Sequence, residues 1–114
     1  MILEHDEKTD LKALEASINF IGQKKFQYLY TWNYLESEPD FLLKESPIFT
    51  LHLAFIGEAL NQLNYQIRGR KIRAADPAYK VRNSICHDYA NINPEDLMVT
   101  LEDIIPKIKK LLAR

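Results

Sequence analysis

The sequence predicts an all-α protein, an antiparallel bundle of four to five helices spanning residues 1–114 as one domain. Two observations carry that expectation. Apolar residues recur at spacings of three and four along most of the chain, with only one stretch alternating like a strand. Cap-and-proline signals at Ser46-Pro47, Asp76-Pro77 and Asn93-Pro94 then mark where helices begin. At 114 residues the chain suits a single core that hides roughly two-thirds of the unfolded surface.

The elements follow in order. Leu11, Leu14, Ile18 and Ile21 form one stripe of a first helix beginning near Asp6 to Asp10. Phe26, Tyr28, Tyr30, Trp32 and Tyr34 alternate with period two, yet a lone strand would have no partner, so helix is the better reading and the aromatic stripe is core or subunit interface. Glu36 to Asp40 reads as a break. The helix from about Pro47 to Gln66 places Ile48, Leu51, Phe55, Ile56, Ala59, Leu60, Leu63 and Ile67 around more than half its circumference and should be the most buried element. His52 points into that arc as a structural histidine. Gly69 interrupts the chain, and Asp76-Pro77 supplies a cap and a first-turn proline for a helix running to about Tyr89. In the last helix Asn93 to Asp96 sets carboxylates at the positive end, Lys107, Lys109, Lys110 and Arg114 stand near the negative end, and Pro106 should kink the axis by removing one hydrogen bond.

Composition excludes several classes. Apolar residues at 46% and charged residues at 27% are ordinary for a globular protein, and no apolar run approaches the roughly 18 residues of a membrane span. The acidic start lacks the pattern of a secretory signal, and Cys86, the single cysteine, permits no intrachain disulfide, so a cytoplasmic location without membrane contact is expected. His5, His52 and His87 lack ligand spacing, so neither a metal nor another cofactor is expected. The net charge of −1 is unevenly spread: from 68 to 82, Arg68, Arg70, Lys71, Arg73, Lys80 and Arg82 face only Asp76, a local +5 against −6 elsewhere. Such a strip suits a bound polyanion, and equally a solvated loop paired with acidic helices.

Arg82-Asn83-Ser84-Ile85-Cys86-His87-Asp88-Tyr89 places a permanent cation, a titratable imidazole and a phenol within about two helical turns. A guanidinium can hold a phosphate in a fork and offset charge in a transition state, and a histidine can take and give a proton near neutral pH. By itself R-x-x-x-x-H-x-Y is short, and a solvated arginine with a helix-end histidine explains it as well. At about 100° per residue Arg82 and Tyr89 share a face, while His87 lies about 140° from Arg82. Either the helix ends or distorts near His87, or the site combines two copies of the chain. Asn83 shares the His87 face and is a candidate to orient the imidazole or to donate to phosphate. Cys86 reads as a small packing residue.

These residues carry a family resemblance. R-x-x-x-x-H-x-Y on the penultimate helix, Phe55-Ile56-Gly57-Glu58-Ala59 on the one before, and Leu101-Glu102-Asp103-Ile104-Ile105-Pro106 on the last resemble HepT-type proteins of the HEPN superfamily, from about Pro47 onward. Asp88 stands where that family commonly has glycine, and Tyr79 is the nearest aromatic to a tryptophan often found before the motif. The resemblance implies a dimeric helical bundle and an RNA-cleaving toxin of a type VII-like toxin-antitoxin pair, with Arg82 and His87 catalytic across the dimer. It also implies a minimal nucleotidyltransferase antitoxin that adds AMP to Tyr89, and it alone gives Glu58 a role.

The expected activity is therefore metal-independent RNA cleavage through the 2′-hydroxyl, with His87 as base or acid, Arg82 on the phosphorane and Asn83 in support. RNA would reach the site along Arg68, Arg70, Lys71, Arg73 and Lys80; DNA is not expected as a partner. A second reading is a non-catalytic helical subunit that binds a nucleotidyltransferase and presents nucleotide or substrate to it. A third is a plain dimeric interaction domain.

Overall fold

The computed structural model describes residues 7–22, 47–88 and 91–113. The aromatic stretch from Phe26 to Tyr34, the break after it, the Ser46 cap, Tyr89 and Arg114 lie outside the described residues. What is described is mostly helical. The elements are α1 (Glu7–Ile21), α2 (Pro47–Gln62), a hairpin of β1 (Gln66–Ile67) and β2 (Arg70–Lys71), α3 (Asp76–His87), and α4 (Pro94–Val99), which continues through a π-helical segment (Thr100–Ile104) into α5 (Ile105–Leu112).

α2 packs against both α1 and α3. Its buried side is Phe49, Leu53, Ile56 and Leu60, a four-three-four stripe that meets Leu14, Ile18 and Ile21 of α1, Ala78 and Val81 of α3, and Leu97, Ile104 and Ile108 of the last helical span in one hydrophobic cluster. The arc expected from the sequence was too broad. Ile48, Leu51 and Phe55 are 58, 49 and 47% exposed, because a helix apolar over more than half its circumference has only part of it covered by the described elements.

α2 also ends four residues earlier than expected, at Gln62. Asn64 and Tyr65 adopt left-handed φ values of 55° and 58°, and the Tyr65 N–H closes back on the Leu60 carbonyl at 2.8 Å. The chain then forms a hairpin that the sequence reading missed. Arg68 and Gly69, at φ 52° and 80°, make the two-residue loop between Ile67 and Arg70, the left-handed pair that matches strand twist. Strands of two residues, with a long cation in a position that favours glycine, carry almost no periodic signal.

α3 begins after Ala74, whose φ of 57° redirects the chain. Asp76 was the expected cap; instead Ala75 occupies that position with no side-chain bond, and Asp76 is the first helical residue, where its charge still favours the positive end. Asn93 does cap α4, its Oδ1 accepting from the Glu95 and Asp96 N–H groups at 2.8 and 3.1 Å. Before Pro106 the ladder widens: the Ile105 N–H reaches the Thr100 carbonyl, five residues back, so the proline's missing donor is accommodated by a π segment inside a continuous helical span. Among the described residues no helix is long and apolar enough to cross a membrane.

A candidate functional site around Arg82 and His87

Gly57 sets the distance between α2 and α3. A Cβ there would stand 2.5 Å from the Ala78 carbonyl oxygen and 2.7 Å from Arg82 Cβ, closer than real side chains tolerate. Glycine inside a helix costs about 1 kcal/mol relative to alanine, and here it lets the α3 backbone rest directly on α2. That close approach puts the next residue of α2, Glu58, within reach of α3.

Arg82 takes that partner. Its Nε is 3.0 Å from Glu58 Oε2, its Nη1 donates to Asn83 Oδ1 at 2.9 Å, and its guanidinium carbon stands 5.7 Å from the centre of the Tyr79 ring. Gln62, one turn beyond Glu58, donates to Glu58 Oε1 at 2.9 Å and fixes the carboxylate from the other side. Glu58 Oε2 is hidden from solvent and makes no well-aligned hydrogen bond, so the nearby Arg82 charge is what offsets its burial. The Arg82 side chain keeps 25% exposure, so the cation is held in place with part of its surface still open to an anion.

His87 differs in every respect. It is the last residue of α3, exposed, and no hydrogen bond or ion pair holds its imidazole among the described residues. Asp88 leaves the helix at φ −159° and ψ 61°, its N–H bonded to the Ser84 carbonyl at 2.8 Å. The Asp88 carboxylate is engaged by Asn91, whose Nδ2 lies 2.9 and 3.0 Å from its two oxygens. The helix is regular as far as His87, so the divergence of about 140° expected between Arg82 and His87 stands within one chain.

The structure therefore gathers Arg82, Asn83, Glu58, Gln62 and Tyr79, and leaves His87 apart. Asn83, expected to orient the imidazole or to donate to phosphate, accepts from Arg82 through its Oδ1. Cys86 was expected to pack; it is exposed. The Glu58 contact was beyond spacing arguments, because a carboxylate on a polar arc gives no sign of its partner 24 residues away. The glycine before it was the available signal.

The basic strip divides. Arg68 Nη1 donates to the Leu112 carbonyl at 3.2 Å, tying the hairpin to the C-terminal end of α5. Arg70 and Lys80 are exposed, and Lys71 and Arg73 line a cleft beside α5. The hairpin sits at the N-terminal end of α3 and His87 at its C-terminal end, about 18 Å along the axis. The hairpin part of the strip is thus about one helix length from His87, with Lys80 and Arg82 between them on α3.

His52 lies between Phe20, stacked at 4.2 Å, and Phe55, edge-on at 5.6 Å, with Ser17 Oγ 2.9 Å from Nδ1. Burial lowers its pKa below the ordinary 6.5. This is the structural histidine anticipated from the helical pattern, on the α1 side of α2. Among the described residues no group of three or more His, Cys, Asp or Glu side chains is placed to hold a metal ion. No family model matches this chain, and no curated protein sequence or solved structure is significantly similar to it.

Proposed function

We propose that the protein is a HepT-like member of the HEPN superfamily, an antiparallel helical bundle acting as a cytoplasmic, homodimeric endoribonuclease. The observation that carries this reading is the support built around Arg82: a glycine seat, a buried carboxylate oxygen and an amide all hold a cation that remains part-exposed. A solvated surface arginine needs none of that.

In the proposed reaction His87 takes the proton of the ribose 2′-hydroxyl, and the 2′-oxygen attacks the adjacent phosphorus. Arg82 offsets the charge on the phosphorane, and the 5′-oxygen leaves as a hydroxyl by taking that proton from the His87 imidazolium, giving a 2′,3′-cyclic phosphate and a 5′-hydroxyl end. No water or metal enters these steps. Because Arg82 and His87 diverge on one helix, the working pair is formed by Arg82 of one copy and His87 of another. Tyr89, the last residue of the motif, is the site where a nucleotidyltransferase partner adds AMP: the phenol oxygen attacks the α-phosphate of ATP, pyrophosphate leaves, and the new phosphodiester pairs with Arg82 and blocks RNA.

Incubating the purified protein with RNA in excess chelator tests this reading. Cleavage with cyclic-phosphate ends, lost in His87→Ala, is expected; intact RNA, or full cleavage by the variant, contradicts it. A second reading, a non-catalytic subunit presenting nucleotide to a nucleotidyltransferase, is favoured by one observation: the Arg82 Nε and Nη1 groups are already engaged within the chain. Binding of nucleotide without cleavage would select it.

A further inference from the structure

The hairpin and α5 enclose a cleft of about 350 Å³ lined by Lys71, Ile72, Arg73, Lys107, Lys110 and Leu111. Its floor is apolar: Ile72 is buried and Leu111 partly buried. Four cations surround it, two from the hairpin and the turn after it and two from α5, and none of the six lining residues is acidic. Asp103 pairs with Lys107 at 3.0 Å across one helical turn, and Asp76 lines a neighbouring hollow that shares Lys71, Ile72 and Arg73 with the cleft, so four cations against two carboxylates leave a net positive charge.

This convergence is fixed by the fold. Arg68 anchors the hairpin to the Leu112 carbonyl, which brings Lys71 and Arg73 beside the lysines of α5. Bringing like charges together is unfavourable unless a counter-anion offsets them. The focused field and the apolar floor suit a phosphate backbone with a base or sugar against Ile72 and Leu111.

We infer that this cleft is a second contact for RNA, remote from the reacting phosphate, in which Lys71, Arg73, Lys107 and Lys110 hold backbone phosphates of the strand whose cleavage is proposed above. The inference rests on RNA being the substrate. It adds Lys107 and Lys110, which stand more than 30 residues from Lys71 and Arg73 in the chain. A strand spanning the cleft and the Arg82 region follows α3, so RNA of several nucleotides is bound better than a dinucleotide.

The test compares the full chain with Lys71→Gln/Lys110→Gln and with Lys12→Gln/Lys109→Gln, which removes the same charge outside the cleft. Binding of a labelled single-stranded RNA oligonucleotide is measured by fluorescence anisotropy across a salt series, alongside cleavage of that oligonucleotide and of a dinucleotide. The cleft variant is expected to bind more weakly, with a log-log salt slope shallower by about 1.4, the value for two lost single-strand phosphate contacts. Its KM for the oligonucleotide rises by a larger factor than its KM for the dinucleotide. Equal binding by the cleft variant and the wild type, or equal weakening by the control variant, overturns the inference. If no protein cleaves RNA but only the cleft variant binds it poorly, the cleft stands and the nuclease reading fails; if all cleave and bind alike, the cleft fails alone.

Discussion

Along α3, Arg82 is gripped by Glu58, Asn83 and Tyr79, while His87, five residues later, stands in solvent at the helix end. The two residues that the sequence motif joins are thus treated in opposite ways. A cation that must meet charge developing on a phosphate is useful in proportion to how well its position is fixed beforehand. Among the described residues none holds the His87 imidazole.

The contrast breaks most sharply at His87. His87→Ala is expected to lower RNA cleavage by about 10²- to 10⁴-fold, the usual contribution of a general acid-base group. Its unfolding free energy should stay within about 0.5 kcal/mol of wild type, because the side chain is exposed. Single-turnover cleavage with urea unfolding checks both halves; a strongly destabilised variant would show that His87 is held after all.

Gly57→Ala should perturb the seat of the arginine without touching the motif. The added methyl must push α3 away from α2, and a destabilisation of about 1–3 kcal/mol is expected despite the better helix propensity of alanine. Thermal unfolding measures it, and an unchanged or higher Tm would mean that the helices do not meet as closely as described.

Arg82→Ala differs from His87→Ala in costing stability as well as activity, about 1–3 kcal/mol, because Glu58 Oε2 is left buried beside no cation. Arg82→Gln keeps a donor for Glu58 and should recover part of that loss, and Glu58→Gln combined with Arg82→Ala should recover more. A double-mutant cycle in which the two losses simply add would remove the ion pair from the account.

The smallest expected effect lies away from the site. Burial lowers the His52 pKa, so the folded state disfavours the proton that the unfolded chain accepts below about 6.5. The stability tied to neutral His52 is present above that value and falls as pH drops through it toward the folded pKa. His52→Gln should flatten the pH dependence of Tm between pH 7.5 and 5; an equally steep dependence would assign it to other groups.

The sequence made the helical stretches legible wherever an apolar stripe coincided with a cap, as at Asn93, whose side chain closes the first turn of α4. It misled where apolar residues outnumbered the surface that the described elements cover, as at Ile48, Leu51 and Phe55. The hairpin was invisible because its two-residue strands are too short for any period. The motif was legible as residue types and spacing, and helical geometry alone foretold that Arg82 and His87 diverge. The partners that fix Arg82 were not legible, because Glu58 and Gln62 are polar residues whose meaning depends on how closely Gly57 lets two helices approach. The lysines opposite the basic strip were hidden for the same reason: Lys107 and Lys110 join Lys71 and Arg73 only through the fold.

Mixing two inactive proteins tests the central claim most directly. Arg82→Gln and His87→Ala chains are unfolded together, refolded as a mixture and assayed on RNA in excess chelator beside the wild type and each variant alone. If the site takes Arg82 from one copy and His87 from the other, the wild type cleaves, each variant alone is inactive, and the mixture recovers about a quarter of wild-type activity, since half the random dimers carry one intact site of two. A mixture as inactive as its components, beside an active wild type, would place the whole site within one chain, and a wild type that leaves RNA intact would contradict the account altogether.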